Sequence, residues 1–245
     1  MRGKNKYLYV ILAPLIIIFL FYYFATYSSE FKNLLTQQES DNDVVSPQAS
    51  ISVNTIPVPT KKILILDAGH GGYDPGSISS KGILEKDITL AVALKVGAIL
   101  KKNNIDVVYT RKSDDVPWPQ NVKQDLAARA DISNNHQAEL FISIHVNSFK
   151  QESVKGTETF YSNGSLESKE AAQLIHNQII KDVRFIDRGI KGEAFSILRN
   201  VKAPTVLLEL GYISNKNDEM LLNNSSHQEK FAQAIAKGVL NYIDP

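Results

Sequence analysis

Short apolar runs alternate with longer segments of helical spacing throughout residues 61–245, and this alternation constrains the fold more than any other feature. A run that is apolar at every position, such as residues 63–66, predicts a strand that is buried on both faces. The sequence therefore predicts an α/β fold, a single three-layer domain in which helices flank a mostly parallel, twisted sheet. A domain of this size buries enough surface to fold without disulfides, and the chain has no Cys.

The same patterns place the individual strands and helices. Strands are predicted at residues 63–66, 106–110, 140–145, 156–161, 195–198 and 205–210. Helices are predicted from an N-cap at Asp87 to about residue 103, and at residues 125–136 and 168–183. The pattern Ser226-x-x-Glu229 predicts a capping box that opens a final helix.

An uncharged apolar run precedes this domain and reads YLYVILAPLIIIFLFYYFATY at residues 7–27. As a helix it is long enough to cross the ~30 Å hydrocarbon core of a bilayer. Tyrosines at both ends match the aromatic belts of membrane spans. The alternative is a cleaved signal peptide, but its apolar region is shorter, about 7 to 15 residues, and ends at an Ala-x-Ala type site that is absent here. We therefore expect one N-terminal transmembrane anchor.

Charges on either side of the apolar run predict its orientation. Residues 1–6 contain three basic residues and no acid, whereas residues 28–60 carry four acids and one Lys. This asymmetry favours a cytoplasmic N-terminal stub and a domain outside the cytoplasm. Residues 28–60 are rich in Ser, Asn, Gln and Pro without hydrophobic periodicity, which predicts a flexible tether. The formal net charge of +1 argues against nucleic-acid binding.

Polar residues with metal or acid-base chemistry follow three of the predicted strands. His70 comes shortly after residues 63–66, while His145 and Glu209 lie at the ends of two later apolar runs. Ligands of open α/β sheets bind at the carboxyl ends of the strands. Glu85 lies in the loop before the helix predicted at Asp87, and this loop is short enough to return Glu85 to His70.

Two His and one Glu form the ligand set of many zinc hydrolases, which leaves a fourth position for water. Zinc lowers the pKa of that water to about 7, and a second Glu can take its proton. Each residue also has a simpler interpretation: a lone His is often structural, and Glu85 fits a solvated charge at a helix start. Burial of Glu209 without a partner would cost several kcal/mol, which a nearby cation would offset. Spacing alone leaves open which Glu is the ligand and which is the base.

Four segments together carry a resemblance to a known family. They read ILILDAGHGGYDPGSISSKGILEKDITL, VVYTR, AELFISIHVNS and APTVLLELGYISN, and they occur in family order within a match that covers essentially all of residues 62–243. The chain resembles the zinc-dependent N-acetylmuramoyl-L-alanine amidases of the amidase-3 family. The resemblance implies one Zn²⁺ held by His70, Glu85 and His145, with Glu209 as the catalytic residue. Tyr212 stands where the family commonly has Phe.

The resemblance also implies a function. The substrate would be peptidoglycan, and the bond cleaved would join N-acetylmuramic acid to the L-alanine of the stem peptide, with zinc-activated water as the nucleophile. An anchor followed by a single catalytic domain resembles germination-specific amidases, so the resemblance implies cell wall or spore cortex remodelling, expected at the outer face of a bacterial cell membrane. The alternative is a non-enzymatic, membrane-anchored wall-binding or scaffolding protein on the same fold. An inactive copy would have no need of all four site residues.

Further residues are candidates for substrate binding or support. Asn147 matches the family pattern beside His145, and Arg111, Arg129 and Arg188 could hold stem-peptide carboxylates through bidentate hydrogen bonds. A surface or structural role fits these three arginines at least as well. Asp67 is expected to fix the His70 loop or to cap a strand. His136, His176 and His227 are expected to lie outside the site, and the sequence does not indicate which protein partners the chain has.

Overall fold

The computed structural model describes residues 62–244 of the protein. In this part of the chain the strands are β1 (Ile63–Ala68), β2 (Asp106–Tyr109), β3 (Leu140–Asn147), β4 (Thr157–Ser162), β5 (Asp187–Glu193) and β6 (Thr205–Tyr212). The helices are α1 (Glu85–Lys102), α2 (Val122–His136), α3 (Leu166–Val183), α4 (Ser196–Asn200), α5 (Lys216–Leu222) and α6 (Ser225–Ile243).

The predicted stub at residues 1–6, anchor at 7–27 and tether at 28–60 lie outside the described residues. Among the helices of residues 62–244, none combines the length and the apolar character that a bilayer span requires.

One six-stranded sheet, in the order β2-β1-β3-β6-β4-β5, forms the centre of the domain. Strands β2, β1, β3 and β6 run parallel, β4 is antiparallel to β6, and β5 is parallel to β4. The predicted α/β class with a mostly parallel sheet is therefore confirmed. Because β1, β3 and β6 run in one direction, their carboxyl ends meet at one edge of the sheet.

Both faces of the sheet are covered, which explains why its central strands are apolar at almost every position. Leu64 and Leu66 belong to a large core cluster that includes residues of α1, α3 and α6. Ile65, between them in β1, belongs to a second, smaller cluster with residues of α2 and α4. Since successive side chains of a strand point to opposite faces, helices pack on both sides of the sheet.

Near the end of the sheet one predicted strand was wrong and one observed strand was missed. The run at residues 195–198 is not a strand but leads into the short helix α4, whose Ile197 and Leu198 are buried in the smaller core cluster. An apolar run of four residues is compatible with a strand or with a helix. Here the run is apolar because it is buried in the core, and not because it pairs in the sheet. The strand that was missed is β5, an edge strand of sequence DRGIKGE. Its sequence lacks the alternation of apolar and polar residues that is typical of a half-buried strand.

Several helix starts also differ from the predicted ones. Helix α1 begins at Glu85 after an N-cap at Leu84, and not at Asp87. Helix α6 is capped by Asn224, whose side chain accepts hydrogen bonds from the backbone N–H groups of Ser226 and His227. The consequence for the site is that Glu85 belongs to a regular helix rather than to a loop.

The first prediction concerns Gly238, where α6 crosses α3 closely. A Cβ atom at Gly238 would lie 2.5 Å from the Cα atom of Ile175 in α3. Alanine is intrinsically a better helix former than glycine by about 1 kcal/mol, but here it would push two backbones apart. We expect Gly238→Ala to lower the free energy of unfolding in urea by about 1–3 kcal/mol.

The matched control is Lys237→Ala at the neighbouring, exposed position of α6. Its effect should stay within about 0.5 kcal/mol. A Gly238→Ala protein as stable as the unmodified protein would contradict the close helix crossing.

Candidate active site

His70, Glu85 and His145 form one cluster at the carboxyl edge of the sheet. Their ligand atoms all lie within 4.8 Å of one another. The Oε1 atom of Glu85 is 3.1 Å from Nε2 of His70 and 3.1 Å from Nδ1 of His145. The two imidazole rings are 4.9 Å apart and nearly perpendicular, at 82°. Three separate elements, the loop after β1, the first turn of α1 and the end of β3, thus bring together donors suited to a metal ion.

Hydrogen bonds from the backbone fix the carboxylate of Glu85. Its Oε1 accepts the N–H of Val146 at 2.9 Å, and its Oε2 accepts the N–H of Ser77 at 2.8 Å. Burial alone would raise the pKa of Glu85, but the hydrogen bonds and charges of His145 and His70 outweigh it and hold that pKa far below the ordinary value. Glu85 is therefore an ionised carboxylate, as a metal ligand must be.

Asp74 orients the imidazole of His70. Its Oδ2 atom lies 2.7 Å from Nδ1 of His70, and its Oδ1 accepts the N–H of Gly76. A proton on Nδ1 of His70 leaves Nε2 free to act as a ligand atom. Sequence reasoning missed Asp74; the signal available was a carboxylate four residues after His70 in a Pro-Gly turn.

The backbone around His70 takes conformations that few residues allow. His70 itself has a φ of 61°, in the left-handed region that is unusual for a residue with a Cβ atom. At Gly69 a Cβ atom would overlap the imidazole of His145. At Gly76, where φ is 67°, a Cβ atom would lie 2.7 Å from Oε2 of Glu85. The glycines next to the site therefore allow the backbone to approach the ligands closely.

A buried ion-pair network below the cluster holds the His70 loop. Arg129 is 2% exposed and pairs with Asp67 at 2.8 Å and with Asp125 at 2.5 Å. Its guanidinium also donates to the backbone carbonyls of Ala68 and His70. These contacts support the expectation that Asp67 fixes the loop. The predicted contact of Arg129 with substrate is not tested and stays a prediction. Four hydrogen bonds already engage its side chain inside the protein.

Arg111 holds the same loop from the other side. It is 3% exposed and donates to the backbone carbonyls of Ala68, Gly69 and Lys86. Since Lys86 follows Glu85 at the start of α1, Arg111 links the His70 loop to the segment that carries Glu85. Its contacts are those of a structural residue.

Glu209 lies directly opposite His145 in the paired strands β6 and β3. Its side chain is half-buried, and its Oε2 is buried without a hydrogen-bond partner in residues 62–244. Burial, together with the negative charges of Glu85 and Glu158, raises the pKa of Glu209 well above the ordinary value. A cation held by the cluster would offset these effects and stabilise the ionised form. The residues present therefore fit a bound metal.

The four predicted residues share one open cavity of about 430 Å³, together with Asn147. Arg188 lies apart, on β5, where its exposed guanidinium sits 5.2 Å from the centre of the Tyr212 ring. Contacts of Asn147 and Arg188 with substrate stay predictions. The three remaining histidines lie outside this cavity: His176 bonds to Thr159 and Asp187, and His136 and His227 pair with nearby helix residues.

Comparison with known proteins identifies the family. The family model described as N-acetylmuramoyl-L-alanine amidase matches residues 64–241. The chain belongs to the amidase-3 family. The resemblance found in the four sequence segments is thereby confirmed.

Relatives and solved structures agree with this assignment. The germination-specific N-acetylmuramoyl-L-alanine amidase of Bacillus subtilis is 33% identical over 251 residues, covering 99% of this chain and 97% of the relative. CwlD of Clostridioides difficile, solved in complex with the GerS lipoprotein, is 34% identical with a TM-score of 0.71, covering 75% of this chain and 98% of that one. The catalytic domain of CwlV from Bacillus (Paenibacillus) polymyxa var. colistinus is 37% identical with a TM-score of 0.69 and covers 75% and 98%.

As a member of the amidase-3 family, this protein is an enzyme that cleaves the amide between N-acetylmuramic acid and L-alanine in peptidoglycan. The alternative of a non-enzymatic wall-binding protein loses its support.

The second prediction concerns Asp67, which faces Arg129 in the buried network. We expect Asp67→Asn to lower the free energy of unfolding by about 2–4 kcal/mol, because it removes the charge that Arg129 faces and leaves only Asp125. Burial opposes ionisation of Asp67, but Arg129 and Ser143 lower its pKa in the folded protein. The stabilisation is therefore present above about pH 4 and is lost as the pH falls further.

Urea unfolding at pH 7 and at pH 3 measures both effects. The deficit of Asp67→Asn should be smaller at pH 3. Asp114→Asn removes an exposed carboxylate that pairs with Lys86; it serves as the control and should cost less than about 1 kcal/mol. Equal losses for the two variants would contradict the role of the buried network.

Proposed function

We propose that one Zn²⁺ ion, held by His70, Glu85 and His145, is the cofactor of this amidase. The observation that supports it is the convergence of two imidazoles and one buried, ionised carboxylate within 4.8 Å. Nitrogen and carboxylate oxygen donors in this combination are typical of hydrolytic zinc sites that keep one position open. When bound, zinc would supply Lewis-acid polarisation of the amide carbonyl and a lowered pKa for water.

Glu209 is proposed as the general base and then the general acid. Its carboxylate accepts a proton from the attacking water while the water oxygen bonds to the lactyl carbonyl carbon. As the carbon–nitrogen bond breaks, Glu209 returns the proton to the alanine nitrogen, and the products are a carboxylate on the muramic acid and a free alanine amine. The unpartnered Oε2 of Glu209 in the shared cavity supports this role.

The supporting residues divide by where they lie. Asn147 lines the cavity beside His145 and is proposed as a substrate contact at its rim. Arg129, Asp67 and Asp74 are proposed as positioning residues, because their contacts are with the His70 loop and ring.

We also propose that the protein is a single-pass protein of a bacterial cell membrane with its N-terminus inside and its catalytic domain outside. The apolar run at residues 7–27 and the opposite charges on its two sides support this topology. The B. subtilis relative covers 99% of this chain, so the match extends beyond the catalytic domain, and that relative is germination-specific by name. We therefore propose the spore cortex as the peptidoglycan on which the enzyme acts.

The third prediction separates metal binding from catalysis. Glu209→Gln removes the proton acceptor but none of the proposed ligands. We expect it to keep one zinc per chain and to lose at least about 10²-fold in kcat. His145→Ala, which removes a ligand, should lose both zinc and activity.

Zinc content is measured by atomic emission, and activity by the alanine amino groups freed from peptidoglycan, compared with reducing sugar ends. Full activity of Glu209→Gln, or activity that survives removal of zinc by a chelator, would overturn the mechanism. Newly formed reducing ends without free amines would overturn the bond assignment.

The fourth prediction tests the topology. Alkaline phosphatase fused after residue 60 should be active, since it folds only outside the cytoplasm, whereas the same fusion lacking residues 7–27 should be inactive. If the fusion that contains residues 1–60 is inactive, the catalytic domain lies on the cytoplasmic side, which would contradict the proposed topology.

A further inference from the structure

A row of side chains crosses the sheet away from the metal cluster. His145 of β3 is paired in register with Glu209 of β6, and Glu209 is paired with Glu158 of β4. Residues directly opposite each other in neighbouring strands point to the same face of the sheet. The row therefore leads from a proposed metal ligand, through the proposed catalytic residue, to a second glutamate on the far side.

The charge of Glu158 is neutralised inside the protein. Glu158 is 4% exposed and forms an ion pair with Lys191 of β5. The hydroxyl of Tyr212 donates to its other oxygen at 3.4 Å. Glu158 thus already engages the ammonium group of Lys191 and the hydroxyl of Tyr212. Neither group is therefore available to bind an anionic part of the substrate.

Arg188 is the cation that is left open. Its guanidinium is exposed and is placed 5.2 Å from the centre of the buried Tyr212 ring. No acidic partner for Arg188 lies within ion-pair distance among residues 62–244. A guanidinium held on an aromatic face keeps its forked N–H donors free, and that fork matches a carboxylate.

The proposed reaction indicates which part of the substrate lies on each side of Glu209. Glu209 hands its proton to the alanine nitrogen, so the leaving peptide lies on the Glu209 side of the cleaved bond and the lactyl carbonyl lies on the cluster side. The residue after alanine in the stem peptide is a glutamate joined through its side chain. Its α-carboxylate is therefore free, unless it is amidated.

We propose that Arg188, positioned by Tyr212, binds this α-carboxylate and makes the enzyme select stem peptides in which it is free. The stem then runs from Glu209 across β4 toward β5, and the glycan lies on the side of the His70 loop. This inference rests on the proposed function of Glu209. Strand β5, an exposed edge strand, would then contribute to substrate recognition through Arg188.

Two sets of uncross-linked glycan strands test the proposal, one with L-alanyl-D-glutamate stems and one with L-alanyl-D-isoglutamine stems. Their kcat/KM values are compared by the amines released. The full-length protein should prefer the free acid by about tenfold or more, the range expected for a hydrogen-bonded charge pair. Arg188→Gln should remove the preference, mainly through KM for the free acid, and Arg188→Lys should restore part of it.

Two variants act as matched controls. Arg184→Gln removes another exposed arginine, at the end of α3, and should leave the preference unchanged. Tyr212→Phe keeps the aromatic face and should also keep the preference. If the role of Arg188 were purely structural, Arg188→Gln would instead lower the rates on both kinds of strand equally.

The outcomes distinguish a failure of the role of Arg188 from a failure of the proposed amidase function. Equal cleavage of both strands by the unmodified protein, or a preference that survives Arg188→Gln, would overturn the role of Arg188 and leave the amidase mechanism intact. If neither strand releases an amine, the proposed function itself fails.

Discussion

The balance of charge at the carboxyl edge of the sheet is the constraint on which the site depends. Asp67 pairs with Arg129, Glu158 pairs with Lys191, and Glu85 lies between two imidazoles. Glu209, next to them, has a buried oxygen with no partner in the described part of the chain. A buried carboxylate without compensation is costly, so the missing positive charge points to a cation in the same cavity.

The fold supplies this arrangement through rigid elements rather than through loops. His145 and Glu209 are fixed by the pairing of β3 and β6, and Glu85 by the first turn of α1. Only His70 lies on a loop, and there Arg129 and Arg111 bind the backbone carbonyls around it. Buried arginines thus fix a glycine-rich loop as firmly as regular secondary structure fixes the other site residues.

The sequence was sufficient to predict the central strands, and with the family resemblance it predicted that His70, Glu85 and His145 meet in one cluster. Strands buried on both faces leave a continuous apolar run, and the polar residue that ends each run stands out, as at His145 and Glu209. Strand β5 escaped prediction because an edge strand on the surface has no apolar pattern to preserve. The pairing of Glu158 with Lys191 escaped because it depends on how distant segments meet in the folded chain. Asp74 escaped although it lies only four residues after His70, because its contact depends on the geometry of the turn between them. The predicted anchor and tether lie outside the described residues and stay predictions.

Diffraction data from zinc-soaked crystals, collected at the zinc absorption edge, test the central claim most directly. The account predicts one anomalous peak about 2.0–2.2 Å from an atom each of His70, Glu85 and His145, with the Glu209 carboxylate beyond bonding distance. A peak bound by Glu209 in place of Glu85, or no peak within this cluster, would contradict it.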